Sequence, residues 1–158
     1  SACFNCSIYP IYFSYIIIAD NLTSNSAQNL NMRVGTGSTP TYDTGSNYGY
    51  VRFLYYSYAT TSTTSILDGA TGGTSAIIGG VYNDATSNTS LKVTIFNPSN
   101  SSAYKNIEFG VFARNSTPQY IVYNGNLTYK SVTPITAIRF YPASGLFATG
   151  TFKLYGIQ

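Results

Sequence analysis

The sequence predicts an all-β chain, an antiparallel β-sandwich, jelly-roll-like, with eight to ten strands. Three observations carry that expectation. No window shows the 3.6-residue apolar period of a helix. Runs of β-branched and aromatic residues recur at intervals of roughly 10 to 15 residues, each bounded by Gly, Pro, Asn or Ser. The clearest run, Tyr104 to Arg114, alternates: Ile107, Phe109, Val111 and Ala113 point one way, Asn106, Glu108, Phe112 and Arg114 the other. That is the pattern of a half-buried antiparallel strand. At 158 residues the chain has one domain's length and can bury a core without staples, so residues 1–158 read as one sandwich domain.

The remaining elements follow in order. Ile11 to Ile18 closes an apolar run that is too short for a membrane helix, which needs about 20 residues. It has no basic flank to make it a signal peptide and reads as a buried strand. Leu30 to Val34 is the second strand, with Leu30, Met32 and Val34 on one face. A Gly/Thr/Ser/Pro loop from Gly35 to Asn47 follows. Tyr48 to Tyr58 carries aromatics on both faces, so the core covers one face and a partner or ligand is expected on the other. Ala59 to Ser75 is Thr, Ser and Gly with one apolar pair, Ile66-Leu67, and reads as a long exposed loop with at most a short edge strand.

Ala76 to Tyr82 and Leu91 to Phe96 are next, the latter stopped by Asn97-Pro98. Gln119 to Tyr123 and Asn126 to Lys130 flank Asn124-Gly125. That dipeptide between apolar runs signals a hairpin, the alternative being one long strand with a glycine bulge. Ile135 to Tyr141 and Phe147 to Ile157 close the chain across the turn sequence Pro142 to Gly145.

Composition narrows the chemistry. Charged residues are 8% of the chain, against about 25% in ordinary domains, and there is no His or Trp. Without His there is no Ser-His-Asp triad, no Cys-His dyad and no imidazole metal ligand. The acids Asp20, Asp43, Asp68, Asp84 and Glu108 form no local cluster, and the basic residues form no stripe for nucleic acid. No catalytic residue, metal site, cofactor, nucleic-acid partner or membrane insertion is expected. Ser, Thr and Asn supply about a third of the residues, and 16 Tyr take the place of charge.

Several residues are candidate contacts. Tyr42, Asp43, Asn47 and Tyr48, with Tyr82, Asn83 and Asp84, lie on loops where rings can stack on sugars and amides can bond hydroxyls. Tyr56, Tyr58, Arg139 and Tyr141 suit a subunit interface, the last two because they alternate with Ile138 and Phe140. Cys3 and Cys6 lack the further ligands that zinc needs. They read as free thiols or as thiols that pair between chains. Six Asn-x-Ser/Thr sequons, at Asn5, Asn21, Asn88, Asn100, Asn115 and Asn126, are close to what so Asn- and Thr-rich a chain yields by chance.

Three segments, in order, resemble a family of tailed-bacteriophage virion proteins. They are Cys3-Phe4-Asn5 leading through Tyr9-Pro10 into Ile11 to Ile18; Leu30-Asn31-Met32-Arg33-Val34-Gly35 followed by the glycine-rich loop and the aromatic strand from Tyr48; and Gly150 to Phe152 running into Lys153-Leu154-Tyr155-Gly156-Ile157. The resemblance implies a non-enzymatic structural part of the virion, a tail appendage or tail fibre, or a capsid decoration protein. It implies a surface-exposed domain, extracellular after release, which can end a longer chain and which docks onto other virion proteins as a homo-oligomer, a trimer by the family's usual setting. A host receptor- or glycan-binding module is the alternative function. An extracellular filament or adhesin subunit is a further one.

Overall fold

The computed structural model describes residues 4–9, 11–57, 63–83, 86–115 and 119–158, with the side chains of residues 63 and 64 excepted. Those residues form twelve strands and no helix: β1 Phe4–Ser7, β2 Ser14–Ser24, β3 Gln28–Thr36, β4 Thr41–Tyr42, β5 Tyr48–Ser57, β6 Thr63–Gly73, β7 Ala76–Val81, β8 Asn88–Phe96, β9 Lys105–Arg114, β10 Tyr120–Tyr129, β11 Ile135–Pro142 and β12 Phe147–Ile157. All pairings are antiparallel. A five-stranded sheet runs β1-β11-β3, with β4 and β7 sharing the far edge of β3. A seven-stranded sheet runs β12-β2-β8-β9-β10-β5-β6.

The connectivity is that of a wrapped sandwich. The β2–β3 segment crosses from the large sheet to the small one and pairs in each with the β7–β8 segment. The β1–β2 segment does the same with β11–β12. Local hairpins, β8-β9-β10 and β5-β6, widen the large sheet beyond this wrapped frame.

Alternation dictates the core. Ile107, Phe109, Val111 and Ala113 of β9 face inward, as the sequence pattern requires, and meet Leu30, Met32, Val34, Ile78, Ile138 and Phe140 of the small sheet in one apolar cluster. The aromatic ends of the chain are stapled together: the Phe4 and Phe152 rings stack with centroids 3.9 Å apart. At Gly79 of β7 a Cβ would lie 2.8 Å from Val111 Cγ1, so the missing side chain sets how closely the two sheets approach.

The structure corrects the expected elements in four places. There are twelve strands among the described residues, not eight to ten. The segment read as a long loop holds β6, an eleven-residue strand paired to β5 along its length. The Gly35 to Asn47 loop contains the short β4.

Asn124-Gly125 makes neither a hairpin nor a bulge. β10 runs straight through it with unbroken register to both β9 and β5. The reason is steric. Gly125 faces the core opposite Phe109, and a Cβ there would sit 2.5 Å from the Phe109 ring and 2.4 Å from the Val51 carbonyl oxygen. The glycine is an extended residue that yields its space to an aromatic ring, which is a different use of glycine from the left-handed turn.

This packing generates a prediction. Phe109→Ala empties the space above Gly125 and is expected to cost about 3–5 kcal/mol. Gly125→Ala overfills it and is expected to cost about 1–3 kcal/mol. Urea unfolding followed by tyrosine fluorescence measures both; a Gly125→Ala protein as stable as the parent would contradict the crowded site.

Candidate functional site

The candidate loop around Tyr42 to Tyr48 is built on one carboxylate. Asp43 accepts the Gly45 N–H at 2.6 Å and the Asn47 side-chain amide at 2.8 Å. It also accepts the Tyr129 hydroxyl from β10, at 2.7 Å. The wholly buried Tyr48 hydroxyl donates to the Asp43 carbonyl at 3.0 Å and accepts the Val34 N–H at 2.9 Å. Burial works against the Asp43 charge, yet the bonds from Tyr129, Asn47 and Gly45 and the nearby charge of Arg33 outweigh it and hold its carboxyl below the ordinary range. Burial pushes the Tyr48 and Tyr129 hydroxyls up, and the Asp43 charge raises both further. Asp43, Asn47 and Tyr48 are thus spent on holding the loop. Tyr42 turns the other way, onto the outer face of the small sheet.

The other candidates separate. Tyr82 is half-buried, with its hydroxyl 3.4 Å from that of Tyr123, and burial raises its pKa; Asn83 is exposed. Asp84, Tyr58 and Cys3 lie outside the described residues. Cys6 points inward, and burial pushes its thiol up to about 11, which removes it as a ready partner for a disulfide between chains. Tyr56 packs against the core from the inner face of β5 and is not placed for a subunit contact. Arg139 and Tyr141 do face outward while Ile138 and Phe140 are wholly buried.

The outward positions of β5 are instead Val51, Phe53 and Tyr55. They belong to an apolar patch across four neighbouring strands. Phe53 pairs with Leu67 of β6, Tyr55 with Val122 of β10, and Val122 with Phe112 of β9. Leu67 is 63% exposed and Phe112 55%. The Phe53 and Tyr55 rings stack at 6.5 Å. The expectation of aromatics on both faces of this strand pointed here. It named Tyr56 because parity cannot be read where both faces are aromatic.

Beside the patch a shallow groove of about 220 Å³ opens over Gly110, lined by Lys92, Thr94, Glu108, Phe112 and Asn124. On the inner face Arg52 reaches Asp68 of β6 at 2.6 Å and lies 5.5 Å from the centre of the Tyr123 ring. Among the described residues no three metal-ligating side chains converge.

No protein-family model and no curated protein matches the sequence. Among solved structures, an alginate lyase from Alteromonas sp. 272 superposes over 90% of this chain and 72% of its own, at 6% identity and a TM-score of 0.16. A superposition that loose carries no argument about fold or activity.

The Asp43 knot is testable through pH. Its folded-state pKa lies below the unfolded value of about 3.9. The stability it confers is therefore full above that value and is lost as pH falls through the folded pKa. Asp43→Asn is expected to cost about 1–2 kcal/mol at pH 7. In urea titrations the gap between parent and variant is expected to narrow from pH 5 down to pH 2. A gap that stays constant over that range would assign the bonds to a neutral network.

Proposed function

We propose that this chain is a non-enzymatic structural component of a tailed-phage virion, displayed on the particle surface as a tail appendage or capsid decoration. It works by docking, with the outer face of the seven-stranded sheet as the contact and sister copies of the chain as the first partners. The observation that carries this is the apolar patch of Val51, Phe53, Tyr55, Leu67 and Phe112. Single exposed apolar side chains are ordinary, but a contiguous aromatic patch on a soluble domain marks an interaction surface. Phe and Tyr supply contact area at low cost in rotamer freedom.

The adjoining edge supports the same reading. β6 is the outermost strand of its sheet and carries one charge, Asp68, already paired with Arg52. It has none of the lysines or prolines with which proteins blunt an open edge. The ordered resemblance of the three segments to virion proteins supplies the setting, and the chain's low charge suits packing of many copies without mutual repulsion.

Sedimentation velocity tests the docking. The parent is expected to self-associate in a concentration-dependent way, and the double variant Phe53→Ser/Leu67→Ser to remain monomeric with unchanged circular dichroism. A parent that stays monomeric at high concentration, or a chain missing from the proteome of purified particles, would overturn the proposal. A host-glycan module is the second reading, favoured by the Gly110 groove, where a polar floor meets the Phe112 ring. Glycan-array binding that Asn124→Ala abolishes would establish it over docking.

A further inference from the structure

The outer face of the small sheet carries two arginines directly opposite each other, Arg33 on β3 and Arg139 on β11. Like charges at facing positions of an antiparallel pair repel and need a reason to persist. Neither guanidinium has a carboxylate at ion-pair distance among the described residues. Each is instead fixed through its Nε and one ring. Arg139 donates from Nε to the Asn5 side-chain oxygen at 3.0 Å, and its guanidinium lies 3.9 Å from the centre of the Tyr42 ring. Arg33 donates from Nε to the Thr74 carbonyl at 3.1 Å and sits 5.2 Å from the centre of the Tyr141 ring.

The rings themselves are held. Tyr42 packs on Gly35, where a Cβ would come within 3.1 Å of the ring, and directly precedes Asp43 of the loop knot. Anchoring through Nε and a ring face leaves the two terminal nitrogens of each fork as the donors still to be used. Both arginines line one open groove of about 240 Å³, closed at its end by the turn Pro142 to Gly145. Asp43 is near enough for Arg33 to depress its pKa, but its carboxylate is engaged by Tyr129, Asn47 and Gly45 and does not line the groove.

We propose that this groove is an oxyanion-binding site, taking a carboxylate or sulfate group between the Arg33 and Arg139 forks. Two pre-oriented guanidinium groups match the bidentate geometry of such anions, and a bound anion removes the repulsion between the paired charges. The site is separate from the docking face proposed above, since it lies on the opposite sheet. It stands or falls independently of that reading.

Nuclear magnetic resonance titration of the labelled full chain tests it, with sodium sulfate and sodium glucuronate as probes. Glucose is the neutral control, and sodium chloride matches the ionic strength. Saturable shifts are expected at Arg33, Arg139 and Ala143 to Gly145 for the oxyanions and not for glucose or chloride. Tighter response to glucuronate than to sulfate assigns the anion to a saccharide, and the reverse order to a free inorganic ion.

Arg139→Lys keeps the charge but loses the fork, and is expected to weaken binding at least tenfold. Arg33→Gln, which leaves the Tyr42 stack intact, is expected to do the same. Shifts that never saturate, that chloride reproduces, or that both variants retain would overturn the site.

Discussion

The Tyr48 hydroxyl joins the two sheets. It stands on the first residue of β5 in the large sheet, accepts the Val34 N–H of β3 in the small sheet, and donates to the Asp43 carbonyl in the loop between them. A phenol buried this deeply has to satisfy both its donor and its acceptor capacity, and here each bond crosses a boundary between elements. Tyr129 adds a second phenol from β10, on the Asp43 carboxylate. The position of β4 follows, and with it the Tyr42 ring and the Arg139 guanidinium stacked on it. The outer face of the small sheet is therefore placed from the inside, through a chain of contacts that starts at one buried hydroxyl.

The two sheets differ in what they do with their outer faces. The large sheet presents aromatic and aliphatic rows on β9, β10, β5 and β6, and Lys92 and Lys153 flank Ile18 in its outward row at the other side. The small sheet concentrates two of the chain's four arginines on neighbouring strands. In a chain with 8% charge, two cations thus face each other without a carboxylate, whereas the buried cation Lys105 is consumed locally by the carbonyls of Ala103 and Ser131. One face of the sandwich can gain from losing water and the other from gaining an anion.

The sequence discloses the class and the core faces because period-2 alternation is a local signal. Ile107 to Ala113 and Ile138 with Phe140 could be placed without coordinates. β6 was hidden because Asp68, Gly69, Gly72 and Gly73, all poor strand formers, interrupt its Thr and Ile-Leu residues; pairing along β5 creates the strand, and pairing is not local. Asn124-Gly125 misled because the dipeptide states what a backbone can do, whereas the Phe109 ring states what it must leave room for. Arg139 and Tyr141 were legible as an outward pair. Arg33 was not, since its apposition to Arg139 depends on a register set by residues about a hundred positions apart.

The wrapped pairing has a kinetic side. Asn5 of β1 bonds Arg139 of β11 across 134 residues, and β2 pairs with β12 over a similar span. Contacts that distant bring the entropy of closing a very long loop before any of their own stabilisation arrives, so the sandwich folds slowly for its size. During synthesis β1 and β2 emerge long before β11 and β12 exist, and β2 waits with an open edge until β12 has been made. β12 is the strand that covers the free side of β2, and until it pairs, that edge stands open on every copy being made.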